Sequence, residues 1–279
     1  SSQTDFTIAQ TGDLIGLAYV DAIQEIEGDP YVPIAFAVAP DGVIRDRIRS
    51  GEVTTSAAFD ILSLGSGSDG SPGYPLVSVY LTGKDLKNAF EVDASISQVM
   101  SAAELFGAGC WWEYNPHRMF LDRVTDCGVM DTAEDPTRVS VPIEDDRLYR
   151  VVADLYSGQM LGTVESKSFG LLSVTPRDES GTPVTDLESR IIRDKEGKEV
   201  KAWYALASYL KGQTALQSPS PSKIADSSRN PIRLLFPMGL PTLVVLLTGL
   251  AILTLVGFVL YRTTHRGRRK TPGYRPYCG

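Results

Sequence analysis

Histidine and cysteine are the scarce residues of this chain. Its 279 residues include two histidines and three cysteines, and one of those histidines, His265, follows a long apolar run. Dimetal hydrolase sites draw on several imidazole ligands, so a histidine-rich dimetal centre cannot be built from these residues. Of the cysteines, Cys110 and Cys127 precede the apolar run, and they form either a disulfide or two separate buried thiols.

Three further features are missing from the sequence. The chain has no Asn-x-Ser/Thr glycosylation site outside the apolar run, which favours a bacterial cell envelope over a eukaryotic cell surface. It starts without a basic segment followed by an apolar one, so we expect an export signal and further sequence upstream. It also has no internal repeat, and the composition of residues 1–215 is that of a globular domain.

The C-terminal region contains an uncharged apolar stretch, residues 234–261, which is long enough to cross a bilayer as a helix. The following segment, 262–279, has six basic residues and no acid, so the positive-inside bias predicts that it is cytoplasmic. The remainder then lies outside the cytoplasm as the ectodomain of a single-pass protein. Because the ectodomain is strongly acidic, it is not expected to bind nucleic acid. Residues 216–233 are rich in serine and proline and predict a stalk.

Apolar periodicity predicts alternating helices and strands in the ectodomain. The predicted elements are a helix at 12–27, a buried strand at 32–40, a long glycine-rich loop at 60–75, a strand at 76–83, a helix at 84–92, a β-pair formed by 107–115 and 118–126, a strand at 145–156 and a helix at 198–210.

Five segments, in this order, resemble those of a known family. They are GDLIGLAYVDA (12–22), APDGVIRDRIRSGEVT (39–54), VSVYLTGKDLKNAFE (77–91), GAGCWWEYN (107–115) and VPIEDDRLYRVVADLYS (141–157). Together they resemble the C-terminal, substrate-binding domain of the 5′-nucleotidase family, which includes UDP-sugar hydrolases and ecto-5′-nucleotidases. The resemblance implies an α+β fold with α/β/β/α layers, to which the apolar run adds one transmembrane helix.

The resemblance also implies which arginines contact the substrate. Arg45 falls on the arginine of the family's Gly-Gly-Ile-Arg turn, and Arg49 lies four residues on. A guanidinium suits phosphate or carboxylate because its planar donor fork binds two oxygens and keeps its charge. The alternative is a solvated edge on which the arginines pair with nearby acids, namely Asp41, Asp46 and Glu52.

Two aromatic rings sandwich the base in the family, and their counterparts here are displaced. The candidates are Phe106 for the first ring and Tyr156 or Phe169 for the second, each with the alternative of being a core residue. Asp154 and Glu104 are candidate ribose contacts. The family's Pro-Phe-Gly-Asn loop is replaced by a longer insertion, and its Gly-Gly-Asp-Gly-Phe motif is missing.

In the family, a separate N-terminal metallophosphoesterase domain holds two divalent metal ions. None of its histidine motifs occurs here, so the resemblance implies the substrate-binding part of a membrane-anchored phosphohydrolase that is inactive by itself. Its partners would be a nucleotide or nucleoside, the metal domain and the bilayer. The alternatives are a non-catalytic binding or assembly module on a degenerate nucleotidase scaffold, and a structural subunit of a membrane complex.

Overall fold

The computed structural model describes residues 2–130, 140–161 and 172–267 of the chain. In these ranges the helices are α1 (Ile8–Glu27), α2 (Thr55–Ile61), α3 (Gly83–Ile96), α4 (Leu155–Met160), α5 (Ala202–Gly212), α6 (Pro231–Leu235) and α7 (Leu240–Gly267). The strands are β1 (Phe36–Pro40), β2 (Leu76–Thr82), β3 (Leu105–Ala108), β4 (Cys110–Tyr114), β5 (Val124–Met130), β6 (Ser140–Pro142), β7 (Leu148–Asp154) and β8 (Lys223–Ala225).

The first sheet is mixed, with the strand order β2-β7-β1-β3. Strands β1 and β7 are parallel, whereas β2 and β3 run antiparallel to their neighbours. Strand β1 shows why this sheet is buried on both faces. Its side chains alternate, so Ala37 and Ala39 face the helical layer of α1, α2 and α5, while Phe36 and Val38 face the second sheet.

The second sheet has the order β6-β5-β4-β8 and packs on the other face of the first. Its contact with the first sheet is centred on Trp112, which is fully buried. The Trp112 ring stacks on Phe90 of α3 at 4.6 Å between centroids, and Phe36 meets both rings edge-on. Such aromatic contacts add to the stability that area burial alone provides.

The predicted mixed α/β fold is confirmed, as layers of helix, sheet and sheet with α3 against the second sheet. The predicted helices and the strands at 32–40, 76–83 and 145–156 are present, with boundaries that differ by a few residues. The predicted β-pair was wrong in its bounds: 107–115 is divided between β3 of the first sheet and β4 of the second, and the partner of β4 is β5 at Val124–Met130 instead of 118–126. Helix α3 is capped at its start, since Thr82 and Asp85 form a capping box. The arginine-rich segment after β1 begins with a 3-10 turn at Asp41–Val43.

The segment predicted as a stalk, 216–233, packs on the domain instead of standing free. Leu216 is buried in the first core, and β8 adds a parallel strand to the second sheet beside β4. Two polar contacts hold it there: Ser222 donates to the buried carboxylate of Asp13, and Lys223 pairs with Asp93. Buried polar groups need hydrogen-bond partners, and here the segment and the domain supply them to each other. A serine- and proline-rich composition does not reveal such partners.

Helix α7 is apolar over Leu240–Thr263 and is long enough to cross a membrane by length and composition. Within this range, an 18-residue apolar stretch has no residue buried against the rest of the described chain, whereas Thr242, near the start of α7, is buried. The basic residues at 268–279 lie outside the described residues, as does Cys278.

Candidate functional site

Two of the predicted site residues, Arg45 and Tyr156, lie at one edge of the first sheet, the edge where the parallel strands β1 and β7 end. Arg45 follows β1, and Tyr156 follows β7. The register places the start of β2 at the same edge, because Leu76 pairs with Asp154. The carboxyl ends of parallel strands are where open α/β sheets usually bind ligands. We call this the carboxyl edge.

Three arginines lie in the exposed segment after β1, and they differ in their partners. Arg49 pairs with Asp46 at 2.9 Å, and Arg47 lies 3.5 Å from Asp5. Arg45 donates to the Gly42 carbonyl, and no carboxylate of the described residues lies within ion-pair distance of it. The solvated-edge alternative therefore fits Arg49, whereas Arg45 keeps donors for an anion.

Two tyrosines, the partly buried Tyr74 and the exposed Tyr156, form an aromatic pair at the carboxyl edge. Tyr74 precedes β2, and its ring stacks on that of Tyr156 with a centroid distance of 5.5 Å and an interplanar angle of 18°. Tyr156 is 38% exposed, so part of its side chain is open to a ligand. Sequence reasoning missed Tyr74, because it reaches Tyr156 only through the pairing of β2 with β7.

The inserted loop that carries Tyr74 is fixed by polar contacts. Lys201 lies 2.9 Å from Asp69 and 2.7 Å from Glu199, and Ser68 donates to the same Glu199 carboxylate. The pKa of Asp69 is lowered. The side-chain hydrogen bond with Lys201 has the largest effect, and a backbone hydrogen bond adds to it. The loop is therefore held as a structured part of the carboxyl edge.

Two of the predicted contacts are interior residues in the structure, and this corrects the direct roles expected for them. Phe106 on β3 is 2% exposed, and its ring lies 4.6 Å from the Lys223 ammonium. Asp154 is buried and caps α4 by accepting from the Ser157 backbone at 3.0 Å, while burial raises its pKa. A ring or carboxylate enclosed in this way cannot meet a ligand without rearrangement. Phe169 lies outside the described residues.

A charged network extends from the arginine segment into the interior. Lys223 pairs with Asp93 and Glu104, each at 2.9 Å. Asp41 lies within electrostatic range of this group, and burial, followed by repulsion from Glu104, raises its pKa, whereas Arg45 lowers it. Glu104, a predicted ribose contact, is therefore already paired with Lys223, and the network connects the carboxyl edge with β8.

Two clefts of the described chain lie away from Arg45. One, of about 460 Å³, is bordered by Asp13 and Leu216, and the other, of about 930 Å³, by Tyr31 and Arg150. Within residues 2–130, 140–161 and 172–267, no group of three or more His, Cys, Asp or Glu residues could hold a metal ion. The candidate binding groups of the carboxyl edge, Arg45, Tyr74 and Tyr156, border neither of these two clefts.

The two cysteines lie on neighbouring strands of the second sheet, as the predicted β-pair required. Cys110 is opposite Val129, and Cys127 is opposite Trp112, so the two are not directly paired in register. Both are free thiols in the structure. Burial raises the pKa of Cys127 to about 11, and it also raises that of Cys110. Thiols in that state are poor nucleophiles at neutral pH.

The first of two solved structures similar to this chain agrees with its fold. A 5′-nucleotidase precursor from Thermus thermophilus aligns with 82% of this chain and 39% of its own length, with a TM-score of 0.55 and 16% identity. The NAD nucleotidase of Haemophilus influenzae aligns with 76% of this chain and 33% of its own, with a TM-score of 0.46 and 17% identity. This chain therefore spans less than half of each. A comparison with curated proteins gave no significant match.

The family comparison covers more than half of the chain. Residues 3–164 match the family described as 5′-nucleotidase, C-terminal domain. That range runs from the segment before α1 to the residues just after α4, so it includes the whole carboxyl edge. This chain therefore belongs to the 5′-nucleotidase C-terminal domain family.

Proposed function

We propose that this chain is the substrate-binding part of a membrane-anchored, 5′-nucleotidase-like phosphohydrolase that acts on nucleotides. A separate metallophosphoesterase domain would supply two divalent metal ions and the hydrolytic step. The observation that carries the proposal is Arg45, an exposed guanidinium without a carboxylate partner among the described residues, at the carboxyl edge of a domain of this family.

The carboxyl edge offers groups for the phosphate and for the base of a nucleotide. The Arg45 guanidinium binds the phosphate through its planar donor fork. The exposed part of Tyr156 stacks on the base, with Tyr74 behind it as a rigid support. Arg49 joins the phosphate only when it leaves Asp46, so its contribution is smaller. The chain positions the substrate and performs no bond cleavage itself.

The test is nucleotide binding by the full chain in detergent, measured by titration calorimetry with AMP. Arg45→Ala removes a charge-assisted contact worth about 1.5–3 kcal/mol, so we expect binding that is about tenfold to a hundredfold weaker. Arg47→Ala is the matched control, since Arg47 lies two residues on and faces Asp5. Equal losses in both variants, or no binding at millimolar AMP, would contradict the proposal.

A second candidate, a non-catalytic binding or assembly module, is favoured by one observation. The rings and the second arginine expected to contact a nucleotide are already engaged: Phe106 is buried, Tyr156 stacks on Tyr74, and Arg49 pairs with Asp46. A chain that binds no nucleotide but copurifies with a membrane protein through this edge would support the second candidate over the first.

The proposed anchor is α7, with the ectodomain outside the cytoplasm and the basic tail inside. Support comes from the length and exposure of its apolar segment Leu240–Thr263 and from the excess of arginine and lysine after it. Protease added to intact cells should remove the ectodomain and leave the tail protected. Release of the chain from membranes by alkaline carbonate would contradict anchoring.

A further inference from the structure

The loop between β4 and β5 contacts the chain just before α7. The Arg118 side chain is fully buried there. Its Nε donates to the Asp122 carbonyl at 2.7 Å, its Nη1 donates to the Arg233 carbonyl at 2.8 Å, and its Nη2 donates to the Pro237 carbonyl. One guanidinium thus binds its own loop and the segment that leads into the apolar helix.

The same loop caps the N-terminus of α7. The Asp122 carboxylate accepts from the Gly239 backbone N–H at 3.1 Å and from the Thr242 hydroxyl, and it pairs with Arg118 at 3.3 Å. A helix normally takes its cap from the residues just before it. Here the cap comes from a loop that is distant in the sequence. The position of that loop is therefore fixed relative to the start of the helix.

Exposed apolar side chains surround this junction. We call them the apolar collar; its members are Phe120 (40% exposed), Ile232 (69%), Leu235 (40%) and Phe236 (58%). Two of the four are aromatic, and all four lie on the capping loop or on the segment before α7. Neighbouring apolar groups left open to water are usually sites of contact with a partner or a membrane.

The length of α7 determines where the collar lies. Its apolar segment has 24 residues, which span about 36 Å at 1.5 Å per residue, whereas the hydrocarbon core of a bilayer is about 30 Å thick. The charged side chains of Arg118 and Asp122 lie at the first turn of α7, and charge is costly in the hydrocarbon core, so the excess length leaves this turn in the headgroup region. Because Asp122 holds the loop to that turn, the collar reaches the same depth, where aromatic side chains are favoured.

We propose that the apolar collar inserts into the interface of the outer leaflet, as a second lipid contact beside the transmembrane helix. This proposal rests on the proposed anchoring of α7. The ectodomain then sits directly on the bilayer, held by Arg118 and Asp122, and its orientation is fixed. The partner is a lipid surface, and no receptor protein is required.

The test is lipid photocrosslinking in liposomes of neutral phospholipid that contain the full chain. Benzoyl-phenylalanine is incorporated singly at Phe120, Phe236, Tyr204 or Leu250, and lipid adducts are measured by mass spectrometry. Leu250 lies inside the apolar segment of α7, and Tyr204 is an exposed aromatic of α5, in the helical layer on the far face of the first sheet. We expect adducts at Phe120, Phe236 and Leu250 and none at Tyr204.

Two other outcomes would overturn the proposal, and they distinguish a failure of the collar from a failure of the anchoring of α7. An adduct at Leu250 without one at Phe120 would leave α7 in the bilayer and refute the collar. No adduct at Leu250 would refute the anchoring and the collar together. In a Gly239→Ala background, where a Cβ would collide with the Asp122 carboxylate, the adduct at Phe120 should be lost and that at Leu250 kept. Gly249→Ala, which meets no atom within 4 Å, is the matched control.

Discussion

Replacing Lys223 by methionine should destabilise the ectodomain, because it removes the buried partner of Asp93. The Asp93 side chain is 1% exposed, and the Lys223 ammonium lies 2.9 Å from its carboxylate. Removing one partner of a buried ion pair costs about 3–5 kcal/mol, since the other charge is left uncompensated. Asp93 keeps two donors, the Leu105 backbone and the Trp112 indole. We therefore expect a loss of about 3 kcal/mol, the lower end of that range.

The assay is urea unfolding of the full chain in detergent at about pH 7, followed by tryptophan fluorescence, to which the buried Trp112 contributes. Release of β8 should also expose 216–230 to limited proteolysis. Because burial raises the pKa of Asp93, its carboxyl can take up a proton as the pH falls. The loss should therefore be smaller at about pH 5 than at pH 7.

Two variants decide whether this reasoning holds. Lys211→Met is the matched control, since Lys211 is exposed at the end of α5, and it should change the free energy of unfolding by less than about 0.5 kcal/mol. Adding Asp93→Asn to Lys223→Met should recover part of the lost stability, because no unpaired charge then remains. A loss in Lys223→Met no larger than that of the control would refute the role of β8 as part of the domain.

Three further predictions follow from other buried contacts. Burial raises the pKa of Asp13 from 3.8 to about 6. As the pH rises from about 4 to about 6, ionisation of this buried carboxyl should therefore lower the free energy of unfolding by about 3 kcal/mol in total. Unfolding of Asp13→Asn should lack that pH dependence. Gly16→Ala would place a Cβ 2.5 Å from the Ala108 backbone nitrogen, so thermal unfolding should show a loss of about 1–3 kcal/mol. Gly239→Ala should loosen the start of α7 and speed hydrogen exchange there, whereas Gly249→Ala should not.

Much of the fold could be predicted from the sequence because its signals are local. In β1, phenylalanine and valine alternate with alanine, and the two faces pack on different cores. The capping box of α3 and the apolar periodicity of α1 and α5 are also read within a few residues. Patterns of this kind do not depend on distant partners, so they predict the elements reliably.

The docking of 216–233 could not be predicted, because it depends on partners far apart in the chain. Ser222 bonds to Asp13, and Lys223 to Asp93, across separations that leave no periodic pattern. The same holds for the capping of α7 by Asp122. From the sequence alone, a polar segment without periodicity is interpreted as a linker, because its buried partners are not visible there.

The site was predicted in part. The resemblance singled out Arg45, and the structure places it at the carboxyl edge without an acidic partner among the described residues. For Phe106 the structure shows the core alternative, which the sequence left open because a four-residue strand gives too little alternation to tell a core face from an open one. Tyr74 was missed because its importance comes from the strand pairing that brings it to Tyr156.

The most direct test of the central claim is photoaffinity labelling of the full chain with azido-AMP, followed by peptide mapping. If the carboxyl edge binds the nucleotide, the label should lie in 41–50, 62–75 or 154–161, and excess AMP should prevent it. Arg45→Ala should reduce the labelling and Arg47→Ala should not. Labelling only outside these segments, or labelling that AMP does not compete with, would contradict the account.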